Sequence, residues 1–76
     1  MMETLYEKIG KVMSILQSVF EHTNSIQYYA KDPPDTIMIA DLISQIRYLV
    51  RRAEDELREC QEVADRLERL VRSKQQ

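Results

Sequence analysis

The sequence predicts an all-α fold, an antiparallel helical hairpin with unequal arms that assembles into a four-helix bundle dimer. Three observations predict it. One glycine and two prolines in 76 residues leave little to interrupt helix. The prolines are adjacent, Pro33 and Pro34, so one break is expected. Apolar residues on both sides of it recur in alternating steps of three and four, the period of helices wrapped on one another.

Helix one is predicted over about residues 3–30. Its seam reads Leu5, Ile9, Val12, Leu16, Val19, Thr23, Ile26 and Ala30. The polar run His22–Ser25 is its weak point, and a kink there would make a three-helix chain. The bend is predicted at residues 31–35. Proline disfavours helical geometry in the residue before it, so helix one should stop by Lys31. Asp32 is the predicted N-cap of helix two, with Pro33 at the first helical position and Asp35 in the first turn. A connection this short joins antiparallel neighbours.

Helix two is predicted over about residues 33–73, followed by a frayed tail at 74–76. Its seam reads Ile39, Ile43, Ile46, Val50, Ala53, Leu57, Cys60, Ala64, Leu67 and Val71. Glu54–Arg58, Glu62–Arg66, Asp65–Arg69 and Glu68–Arg72 are acid-before-base pairs four residues apart, which support a solvated helix face. The whole chain, 1–76, is then one domain.

Folding at the bend sets Ile26 near Ile39, Val19 near Ile46, Val12 near Ala53 and Leu5 near Cys60. Beyond about Glu62, helix two has no partner in its own chain, yet Val63, Leu67, Leu70 and Val71 stay apolar. Each arm also carries a flanking apolar row: Tyr6, Met13 and Phe20 on the first, Leu42, Leu49, Val63 and Leu70 on the second. A stripe that wide belongs to a bundle of three or more helices. The partner-binding residues predicted from these rows are Met13, Phe20, Leu42, Leu49, Val63, Leu67, Leu70 and Val71. Their partner is a second copy in an antiparallel homodimer, a heterologous protein helix, or both.

Other functional classes find little support. The single cysteine, Cys60, excludes a disulfide within the chain, and with His22 it makes too few ligands for zinc. No nucleophile–base arrangement, glycine-rich phosphate loop or cofactor motif is present, so neither an enzyme nor a cofactor protein is expected. The N-terminus lacks the pattern of a signal peptide and no run approaches a membrane span, which points to a cytoplasmic protein without membrane contact. Arg47, Arg51, Arg52, Arg58, Arg66 and Arg72 share one side of helix two and raise an alternative, a nucleic-acid-associated regulator using that face of a dimer. Acids interleave with these arginines and the net charge is −2, so a solvated face is preferred and nucleic acid is not the expected partner. The layout of two unequal helices around a proline bend resembles small secretion chaperones and small phage or plasmid regulators, in architecture alone. The function predicted is a small protein–protein interaction module, an adaptor, chaperone or regulator.

Overall fold

The computed structural model describes residues 2–75 and consists of two helices, α1 (Met2–Tyr29) and α2 (Thr36–Gln75), packed as an antiparallel hairpin. Met1 and Gln76, the last residue of the predicted frayed tail, lie outside the described residues, and the helix runs on through Gln75. The hairpin measures 65 × 15 × 14 Å, with a radius of gyration of 18.1 Å. A compact domain of this length would have about 11 Å. So long a shape buries little. Only Val12, Ile15, Leu42, Ala53 and Val63 are buried among the described residues, and no large side chain falls below 2 % exposure.

Helix α1 is continuous through His22–Ser25, and no third helix forms. The polar side chains there bond back onto the helix rather than break it. Thr23 Oγ1 donates to the Val19 carbonyl at 2.9 Å and Ser25 Oγ to the Glu21 carbonyl at 3.2 Å.

The bend corrects the predicted cap. Helix α2 starts at Thr36, three residues after Pro33, and its N-cap is Asp35. The Met38 N–H donates to Asp35 Oδ1 at 3.0 Å, and the Ile39 N–H donates to the Asp35 carbonyl at 3.0 Å. The reason is the second proline. Pro33 itself precedes a proline, so it is pushed out of helical geometry and cannot open the helix. The Asp35 N–H closes the turn on the Tyr29 carbonyl at 2.9 Å.

The seam also differs from the predicted one. On α2 the half-buried and buried positions are Ile39, Leu42, Ile46, Leu49, Ala53, Glu56, Cys60, Val63 and Leu67. On α1 they include Leu5, Lys8, Val12, Ile15, Val19, His22, Ile26 and Tyr29. Each run alternates three and four like the predicted one and shares every second position with it. The alternate positions are the neighbours one residue earlier. Ile9, Leu16, Ile43, Val50 and Leu57, predicted inside the hairpin, are exposed, as is Val71 on the predicted overhang.

Polar pairing across the hairpin explains this choice. Lys8 Nζ donates to Glu59 Oε2 at 2.7 Å, and His22 Nε2 lies 2.7 Å from Gln45 Oε1. Both bonds set one antiparallel register, in which Lys8 is level with Glu59. The predicted pairing of Leu5 with Cys60 would set Lys8 level with Leu57. The two-residue difference follows from the later start of α2, and it carries intramolecular cover up to Val63.

Candidate interaction surface

The two long sides of the hairpin differ. One is an open groove lined by Glu7, Gly10, Lys11, Ser14, Ser18 and Arg52. The polar bridges belong to this side. Lys8–Glu59 holds one end, and toward the bend Gln45 Nε2 donates to Asp41 Oδ2 at 2.8 Å while Gln45 Oε1 faces His22. His22 Nδ1 lies 2.6 Å from the Ser18 carbonyl oxygen. The Lys8–Glu59 hydrogen bond holds the ammonium above its ordinary value and the carboxyl below its own. Glu56, in the seam beside this bridge, keeps its Oε2 buried with no hydrogen-bond partner.

The other side is apolar. Helical periodicity places Ile9 and Leu16 of α1 and Ile43, Val50 and Leu57 of α2 along the edge of the seam opposite the groove. Tyr6, Met13 and Phe20 extend the face outward on α1, at 65–68 % exposure. On α2 the equivalent outer row is polar: Arg47, Glu54 and Gln61. Eight large side chains thus form one patch. Taking ~75–150 Å² from each half-exposed side chain gives roughly 600–1,200 Å². Monomers rarely expose more than ~300–600 Å² in one patch.

The predicted partner-binding residues divide. Met13 and Phe20 stand on the apolar side, each 65 % exposed. Leu42, at 8 % exposure, and Val63, at 6 %, are packed between the two arms, so neither can meet a partner. Leu49 is half-buried in the same seam and forms part of the groove wall. Leu67 is half-buried at the seam's end, whereas Leu70 and Val71 are exposed on the overhang of α2. Tyr6, Ile9, Leu16, Ile43, Val50 and Leu57 complete the surface; all but Tyr6 belong to the seam predicted from the sequence.

The arginine face is dispersed among acids. Arg72 donates to Glu68 at 2.6 Å, and Arg58 turns to Asp55 at 3.4 Å rather than to Glu54. Among the described residues, no group of three or more His, Cys, Asp or Glu side chains is placed to hold a metal ion, and no helix is long and apolar enough to cross a membrane. The free thiol of Cys60 is half-buried in the seam. In comparisons with known proteins the chain matches no protein-family model, no curated protein and no solved structure.

Proposed function

We propose that this chain is a small protein–protein interaction module that binds a helical partner across its apolar side, with a second copy of itself as the first occupant. One observation carries the reading: eight large apolar side chains from both helices lie exposed along one edge of a hairpin that has almost no core. A core so small supplies no more than ~3–5 kcal/mol, so stability has to come from added burial. The patch is comparable in area to the ~800 Å² per partner of a standard specific interface. Twofold dimers are the commonest way for one chain to cover such a surface. The binding mode is helix-in-groove packing, with Ile9, Leu16, Ile43, Val50 and Leu57 as the floor and Met13 and Phe20 as anchors.

The test is thermal unfolding followed by circular dichroism over a hundredfold range of protein concentration. A melting temperature that rises with concentration supports the reading. A constant melting temperature, with the mass of a single chain throughout, would remove self-association.

A further inference from the structure

The apolar side is symmetric about its own middle. On α1 the exposed positions Tyr6, Ile9, Met13, Leu16 and Phe20 are centred on Met13. On α2 the row Ile43, Val50, Leu57 and Ala64 is centred between Ala53 and Glu54. The Lys8–Glu59 and His22–Gln45 bridges put Met13 level with Glu54, so both centres fall at one height along the hairpin. From this coincidence we infer that the face is covered by a second copy running in the opposite direction, with the twofold axis crossing the hairpin near Met13. This deepens the self-association reading and rests on it.

The axis places α1 on the partner's α1 and α2 on the partner's α2. Tyr6 then lies at the height of the partner's Phe20, Ile9 near the partner's Leu16, and Val50 near the partner's Leu57. Every contact is made twice, as an isologous interface requires. The rival geometry, with both bends at one end, stacks α1 on the partner's α2. It would set Tyr6, Met13 and Phe20 against Arg47, Glu54 and Gln61, desolvating charges against apolar rings. The antiparallel pairing keeps apolar rows on apolar rows and leaves the polar row of α2 facing its own copy at the rim. It also explains the unequal arms. The overhang of each α2, bearing exposed Leu70 and Val71, reaches the height of the partner's bend.

Distances between spin labels in the full chain test the geometry. Cys60→Ser removes the native thiol, and Ser73→Cys places one label near the end of α2. The antiparallel dimer puts the two labels on the order of 60 Å apart, at ~1.5 Å of rise per residue. The parallel dimer puts them within about two helix diameters, ~20–25 Å. A label at Asp32→Cys, in the bend, gives a second reading with the same contrast. Long separations at both positions support the inference. Short separations in a species with the mass of a dimer overturn the antiparallel geometry and leave self-association standing. A single-chain mass for the unlabelled wild type overturns both. Met13→Glu with Phe20→Glu, at positions exposed in the hairpin, should retain helicity and weaken the dimer at least ~30-fold, the effect of losing one interface anchor. A dimer of unchanged affinity would exclude this face.

Discussion

The two sides of this hairpin are built from the same pair of helices in the same register, yet they carry opposite chemistry. On the groove side Lys8 meets Glu59 and His22 meets Gln45, so the polar groups are paired within the chain. On the other side Ile9, Leu16, Ile43, Val50 and Leu57 are left 38–51 % exposed. The difference teaches that polar side chains select which apolar row is used internally. Lys8, His22 and Glu56 occupy seam positions; Lys8 and His22 turn their polar ends to Glu59 and Gln45, while Glu56 keeps one carboxylate oxygen buried. The fully apolar rows are thereby left outside. A polar contact at one seam position can fix the register of paired helices; here two solvent-reaching cross-links, Lys8–Glu59 and His22–Gln45, set the same register.

Substitutions on the two sides should differ in size of effect. The largest effect is expected inside the seam common to both sides. Ile15, at 5 % exposure, faces α2, and Ile15→Asp would place an unpaired charge there at a cost of several kcal/mol. That equals or exceeds what the small core supplies, so helicity should be lost in dilute buffer. On the apolar side, Val50→Glu should leave the hairpin helical but lower its melting temperature at high protein concentration, since its effect is on association. Next comes the cap. Asp35→Ala should cost ~1 kcal/mol in chemical denaturation, and Asp32→Ala close to nothing, because only Asp35 accepts a helix N–H.

The groove side gives the smallest effects. Glu59 is held below its ordinary carboxylate value by Lys8, so its contribution is present above the unfolded value of ~4.3 and disappears as pH falls through the lower folded value. Lys8 is raised, so its share persists below ~10.4 and is lost as pH rises through the higher folded value. Both groups reach solvent, and salt should screen the effect. Denaturation midpoints measured from pH 2 to 7 should show an acid-side loss that Glu59→Gln reduces. Arg58→Ala, bonded only to exposed Asp55, should change stability by no more than ~0.5 kcal/mol.

Much of the fold was legible in the sequence, and the part that was not has a definite cause. Two helices, their antiparallel packing and the short bend follow from the adjacent prolines and the unbroken alternation of threes and fours. The alternation could not distinguish the run through Ile43, Val50 and Leu57 from the run through Leu42, Leu49 and Glu56, since both satisfy it. Choosing the wholly apolar run is the reasonable reading of one helix alone. The correct run appears only when Lys8 and Glu59, 51 residues apart, are seen to pair. The exposure of Met13 and Phe20 was legible because their row lies beyond either seam. That of Leu42 and Val63 was not, because it depended on the seam choice and on where α2 begins. The helix start was set by Pro34 acting on Pro33, a rule already applied one residue earlier in the chain.

The central claim is that the apolar side, and not the groove side, is where this protein associates. The measurement that tests it most directly is solution mass by sedimentation for the wild type and two paired variants. Leu16→Glu with Leu57→Glu alters the apolar side, and Lys11→Glu with Ser14→Glu alters the groove; all four positions are exposed in the hairpin. The account predicts about 18 kDa, twice the 9.0 kDa of one chain, for the wild type and the groove variant, and a single-chain mass for the apolar variant. A groove variant that dissociates while the apolar variant stays dimeric, or a wild type that is monomeric at every concentration, would contradict it.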